Sequence, residues 1–204
     1  MSVLIKNGRV ITSDSDRIAD VLIEGETIAK VGESLECSGA EVIDATGKYV
    51  LPGFIDPHVH IHLPFMGTNA IDDHASATKA ALAGGTTTLI EMICPGPDDE
   101  PKAAFEEWKA LAEAGACCDF SFHLSVVRFD EIAKQQVRDL VENEGVASFK
   151  VFLAYKGALD IADEQLFELM EIAKELGVII TAHCENAEAV DAMQKRFIAE
   201  GKTG

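Results

Sequence analysis

Gly53-Phe54-Ile55-Asp56-Pro57-His58-Val59-His60 is the stretch on which the rest of the chain depends. An apolar run enters on Pro52-Gly53 and ends in two histidines one residue apart. In a β-strand alternate side chains leave the same face, so His58 and His60 would project side by side, within reach of one metal ion. Two histidines at a strand end can equally be solvated or hydrogen-bonded, and a catalytic metal needs more than two donors. The other donors must come from further along the chain.

After Pro52 strand and helix alternate. A helix is expected from about Asp73 to Ala83, closed by Gly84-Gly85, and then a β-branched strand over 86–92. A helix with Pro101 in its first turn and Gly115 after its end leads to a strand over 120–127. A helix over about 130–143 precedes a strand over 148–155, and a helix over about 163–176, capped by Gly177, precedes a strand over 178–183. Asn186 N-caps a last helix that stops near Gly201. This rhythm implies right-handed βα crossovers and a parallel sheet. An open doubly wound sheet would usually carry a Gly-rich phosphate turn after its first strand; here that place holds His58-Val59-His60, which favours a (β/α)8 barrel.

About five strand candidates are present where eight close a barrel. Residues 51–204 are therefore expected to form the N-terminal part of an α/β (β/α)8 TIM-type barrel, the front of a longer protein. Residues 1–50 hold short β runs at 3–5, 10–12, 21–23, 27–31 and 41–43, with turn signals at Asn7-Gly8 and Glu24-Gly25. They are expected to be the N-terminal part of a small β-sandwich module whose edges need covering.

The 204 residues are 48% hydrophobic, ample for a core. A net charge of −18, from 17 Lys+Arg against 35 Asp+Glu, opposes a polyphosphate partner, so no nucleic-acid binding is expected. The N-terminus reaches a turn signal too early for a signal-peptide core, and no apolar run approaches membrane-spanning length. The expectation is a cytoplasmic protein with no membrane partner. Cys37, Cys94, Cys117, Cys118 and Cys184 show no paired metal-type spacing and are expected to be reduced, mostly packing residues; Cys184, beside His183, is the least ordinary.

In a barrel of this type function sits at the C-terminal ends of the strands. That rule selects His58, His60, Lys150, Tyr155 and His183. Glu91 and His123 are further candidates, each with one polar partner at most in its local sequence, and are read as structural or supporting residues. Lys150 lies between Phe149 and Val151, where an unpaired ammonium is costly to bury. It could snorkel or pair with a carboxylate. With a depressed pKa its neutral amine could instead take up carbon dioxide, giving an anionic, bidentate carbamate.

Residues 53–60, Pro64-Phe65-Met66-Gly67-Thr68, Ala83-Gly84-Gly85-Thr86-Thr87, Ser148-Phe149-Lys150-Val151-Phe152-Leu153-Ala154-Tyr155-Lys156 and Ala182-His183-Cys184-Glu185-Asn186 together resemble the cyclic amidohydrolases of the amidohydrolase superfamily, most closely the dihydropyrimidinase and D-hydantoinase family. The resemblance runs along the whole chain in order. It implies hydrolysis of a cyclic amide or ureide ring, a dihydropyrimidine or 5-substituted hydantoin, to an N-carbamoyl amino acid by a hydroxide bridging two zinc ions. His58 and His60 would bind the more buried zinc, His183 the more exposed one, and an N6-carboxylysine at Lys150 would bridge them. A further histidine and a proton-shuttling aspartate come from later strands in the family. Tyr155 is suited to hydrogen-bond the developing oxyanion.

Leu63, Phe65, Phe152 and Leu159 would form the pocket wall, with ordinary core packing as the other reading. Dihydroorotases carry an arginine two residues after the second histidine; His62 occupies that position here, followed by Leu63, Pro64 and Phe65, which suits an uncharged or hydrophobic ring substituent. His62 is not expected to be a zinc ligand. The family implies a homotetramer for a full-length chain. An allantoinase-type hydrolase and a non-catalytic scaffold of the collapsin-response-mediator type are the alternatives, the latter disfavoured because His58, His60, Lys150 and His183 are all kept.

Overall fold

Asn7-Gly8, a turn signal in the sequence, does not turn the chain: β1 (Ser2–Ile11) runs through it. Asn7 takes a left-handed φ of 61°, and the register against β2 (Asp16–Glu24) shifts between Ile5 and Gly8. The local conformation makes a bulge instead of a hairpin. Glycine is needed there because a Cβ on Gly8 would lie 2.5 Å from Val50 Cγ2. The turn at Glu24-Gly25 does form, joining β2 to antiparallel β3 (Thr27–Gly32). β4 (Glu41–Asp44) and β5 (Tyr49–Val50) pair with β1 in parallel, giving one mixed five-stranded sheet. Its apolar core is thin, built on Val10, Ala19 and Val21 with Ile5, Ile23 and Val50 against them. Buried Asp20 accepts the N–H of Asn7 (2.8 Å) and of Leu35 (3.0 Å), which hold its carboxyl below the usual range.

The computed structural model describes residues 1–65 and 67–203, in two compact units, Met1–Gly53 and Phe54–Gly204. Met66 and Gly204 lie outside the described residues, as does the side chain of Phe65, expected in the pocket wall.

The second unit carries β6 (Phe54–Val59), a short hairpin of β7 (Pro64–Phe65) and β8 (Thr68–Asn69), then α1 (His74–Ala83) and β9 (Thr86–Ile93). It continues with α2 (Pro101–Gly115), β10 (Asp119–Ser125), α3 (Glu131–Glu144), β11 (Ser148–Phe152), α4 (Asp163–Leu176), β12 (Ile179–His183) and α5 (Ala187–Ala199). The parallel sheet has the order β6-β9-β10-β11-β12. Spatial order equal to chain order, with no reversal, is the winding of a barrel rather than of a doubly wound sheet. The unit is a curled half-barrel.

The helices begin and end where local chemistry requires. Asp73, Asp130 and Asn186 accept the N–H of Ser76 (2.7 Å), Ala133 (2.8 Å) and Ala189 (2.9 Å), satisfying first-turn donors. Gly145 and Gly177 close α3 and α4 in the left-handed conformation. One face of the sheet is apolar and packs under the helices: Ile93, Phe122, Leu124, Phe149 and Val151 meet Phe105, Trp108, Val137, Leu140 and Leu169.

Candidate metal centre

The alternation that buries Phe149 and Val151 turns Lys150 and Phe152 to the other face of the sheet. Register extends that row: Lys150 stands beside Ser125 and Thr181, and Phe152 beside His183. The concave face is thus polar where the helix-covered face is apolar. Along it lie His123, Ser125, Ser148, Lys150, Thr181 and His183.

β6 supplies the two histidines from an irregular strand end. Asp56 pairs with Leu89 and Val59 with Glu91, so Pro57 and His58 together face Ile90 alone. This is a bulge, and Pro57 contributes no N–H to the ladder. His58 N–H is turned back to Asp56 Oδ1 at 3.1 Å. The imidazoles of His58 and His60 lie edge to face, ring centres 5.3 Å apart.

Lys150 is 5% exposed, and among the described residues its ammonium has no carboxylate partner; Nζ lies 5.4 Å from the Phe152 ring centre. The histidines feel it. Although His58 and His60 are exposed as whole residues, partial desolvation lowers the pKa of each, and the Lys150 charge adds to the lowering in both. His123 and His183 depress His58 further, while Asp56 opposes. Desolvation first and repulsion from Lys150 second thus push His58 and His60 toward the neutral imidazole, the form that binds a metal.

Among the described residues no three His, Cys, Asp or Glu side chains already stand within common reach of a metal ion. The donor set that fits is two histidines, a lysine carrying a carboxylate, and a third histidine. Conversion of Lys150 to a carbamate would replace an unpaired buried cation by the anion that set lacks. His183 Nε2 meets Glu185 Oε2 at 3.0 Å, which orients the ring and leaves Nδ1 as the nitrogen that could take a metal.

Tyr155 does not extend β11, which ends at Phe152. It stands three residues beyond in a turn, with φ 62°, its carbonyl accepting the N–H of Ala158 (2.9 Å) and of Leu159 (3.1 Å). Its ring is nevertheless at the site, 5.4 Å from His183 and 5.9 Å from Phe152, centre to centre. Phe152 is buried against Tyr155 and His183, whereas Leu63 and Leu159 are half-buried in flanking loops. His62 lies past the strand with φ 58°, its ring 6.2 Å from that of His74, away from the metal donors.

Glu91 and His123 have more partners than their local sequence shows. Glu91 points to the helix side, where Oε1 accepts the N–H of Ile61 (2.9 Å) and Oε2 meets His74 Nε2 (2.8 Å). Burial pushes its carboxyl up to about 7 and pushes His74 down. Among the described residues the buried Trp108 Nε1 makes no hydrogen bond of good geometry, yet its N–H favours the Glu91 carboxylate. His123, on the concave face, contacts Ser148 Oγ through Nδ1 and Pro57 O through Nε2 (2.8 Å). The five cysteines are free, but Cys117 and Cys184 are exposed and so do not pack in a core.

A family model described as "Amidohydrolase family" matches residues 49–204. The chain is 42% identical to the D-hydantoinase of Geobacillus stearothermophilus, over all of this chain and 43% of that protein. It is 39% identical to the dihydropyrimidinase of Rattus norvegicus, over 99% of this chain and 40% of the relative. The solved structure of a D-hydantoinase (dihydropyrimidinase) from Thermus sp. superposes with a TM-score of 0.95 at 54% identity, covering 99% of this chain and 44% of that one. The chain thus spans about two fifths of the length of the curated relatives it matches.

Proposed function

Because the chain belongs to the amidohydrolase family, we propose that it serves metal-dependent opening of a cyclic amide or ureide, a dihydropyrimidine or 5-substituted hydantoin, to an N-carbamoyl amino acid. The observation that carries the reading is Lys150, buried with no carboxylate partner among the described residues, beside His58 and His60, whose pKa values are lowered by desolvation and by the Lys150 charge, and on one sheet face with His183. Similarity to a D-hydantoinase and a dihydropyrimidinase supports the substrate class.

In this reading His58 and His60 would hold one ion, His183 a second, and a carboxylated Lys150 would supply an anionic ligand to both. The carbamate would form by attack of the neutral ε-amine on the carbon of carbon dioxide: a C–N bond forms, one C=O π pair moves onto oxygen, and one N–H proton leaves to solvent. When bound, two zinc ions supply Lewis acidity to the ring carbonyl and acidify water enough to furnish hydroxide near neutral pH. The Tyr155 hydroxyl donates to the carbonyl oxygen as negative charge develops there. Phe152, Leu63 and Leu159 give the approach an apolar lining, suited to an uncharged ring substituent.

The test is metal content per chain, on protein expressed with zinc and bicarbonate, as this span and within a chain of the relatives' length. Two zinc ions per chain, lost on Lys150→Ala, with hydrolysis of dihydrouracil or hydantoin by the longer form, are expected. A longer form with no stoichiometric metal would sink the mechanism.

A further inference from the structure

The ladder that carries His58 and His60 is held at Val59, paired with Glu91, but broken just before it. The bulge at Pro57 and His58 interrupts pairing with β9, and Pro57 cannot donate. Two buried side chains replace the missing bonds, one from each face of the sheet. On the concave face His123 Nε2–H donates to Pro57 O, the carbonyl just before His58; Ser148 Oγ–H on Nδ1 fixes that tautomer. On the helix face Glu91 Oε1 accepts Ile61 N–H, the amide just after His60. Glu91 is in turn set by His74, buried in the first turn of α1.

We propose that Glu91 and His123 are positioning residues that clamp the His58-Val59-His60 segment at its two flanks and so set the geometry at which both imidazoles meet a metal. The inference rests on the metal-site reading above. It differs from a general stabilising role because both bonds end on backbone atoms adjoining the ligands. A ligand pair displaced by a fraction of an ångström loses affinity even in a folded chain.

The test compares Glu91→Leu, His123→Leu, Glu91→Gln and the core truncation Leu140→Ala, which touches no part of the segment. Zinc affinity is read by chelator competition, and exchange of the Ile61 amide by hydrogen–deuterium exchange. Glu91→Leu and His123→Leu are expected to weaken zinc about tenfold or more, and Glu91→Leu to release the Ile61 amide. Glu91→Gln keeps an acceptor for Ile61 and should restore both readings, and Leu140→Ala should lower the unfolding temperature without changing either. Affinity that follows unfolding temperature across the whole set, or a Gln variant no better than the Leu variant, would overturn the proposal. If wild type takes up no metal, the metal-site reading falls by itself; the clamp is then judged on Ile61, whose exchange at the rate of unstructured chain in wild type would refute it.

Discussion

The Lys150 side chain is 5% exposed, and the contact of its Nζ with the Phe152 ring is attractive but supplies no negative charge. If the proposed carbamate forms there, Lys150→Arg, which cannot form one, should take up less metal than wild type while keeping the charge. Metal analysis of that variant beside Lys150→Ala separates loss of the carbamate from loss of bulk. Tyr155→Phe should lower kcat about a hundredfold with a smaller change in KM, as removal of an oxyanion donor does. Glu91 gives a prediction with a sign. It holds its proton in the folded chain up to about pH 7 against an ordinary 4.5, so its stabilising contribution is complete below pH 4.5 and is lost as pH rises to about 7. His74, lowered by burial, acts in the opposite sense near its ordinary value. The readout is therefore the difference in unfolding free energy between wild type and Glu91→Gln, which should fall by on the order of a few kcal/mol from pH 5 to pH 8; a constant difference would refute the buried, protonated carboxyl. The positions of His58, Lys150 and His183 on their strands, with His60 just past β6, are legible because strand alternation fixes where side chains go. Partners of Glu91 and His123 are not, since Ile61 and Pro57 lie 30 and 66 residues away in the chain. The available signal was an acid inside an apolar strand.

Among the described residues of the second unit, the five helices and five parallel strands can be read from punctuation. Asp73, Asp130 and Asn186 start helices, and Gly145 and Gly177 end them, through bonds among residues a few positions apart. Local sequence misleads where one backbone conformation serves two purposes. A left-handed Asn7 can close a hairpin or make a bulge, and the choice lies with residues far along the chain: Asp20 takes Asn7 N–H, and Val50 fills the space over Gly8. Tyr155 is the second case, for β-forming residues run on to it while the backbone leaves the sheet after Phe152. The bulge can be tested. Gly8→Ala would place a methyl 2.5 Å from Val50 Cγ2 and 3.2 Å from Ala45 Cβ, and β-branched Val50 has little freedom to turn aside. The variant should lose about 1–3 kcal/mol and free the amides of β5 to exchange, while zinc binding in the second unit stays as in wild type. An unchanged unfolding midpoint would mean that β5 does not pack on Gly8.

Between copies of the 1–204 span two forces of opposite sign act. Both units present large apolar side chains to water: Ile18, Ile28 and Val42 in the first, Phe54, Ile55 and Ile179 in the second, the last three on the outermost strands of the parallel sheet. Strand edges with apolar side chains are templates for pairing with another chain. Against this stands a net charge of −18, whose repulsion acts over a Debye length of about 30 Å at 0.01 M salt but only about 3 Å at 1 M. Added salt therefore removes the repulsion while leaving apolar attraction in place or strengthening it. The span of residues 1–204 should be least associated at low ionic strength and should gain mass as sodium chloride is raised from about 0.01 to 1 M, followed by light scattering coupled to size-exclusion chromatography. Lysine at Ile179, on the edge strand β12, should reduce the high-salt mass, whereas lysine at exposed Met193 on α5 should not, because a helix presents no unpaired backbone ladder. A mass independent of salt would show that the charge is not what keeps copies apart; equal effects of the two lysines would assign the association to general apolar surface instead of to the open edge.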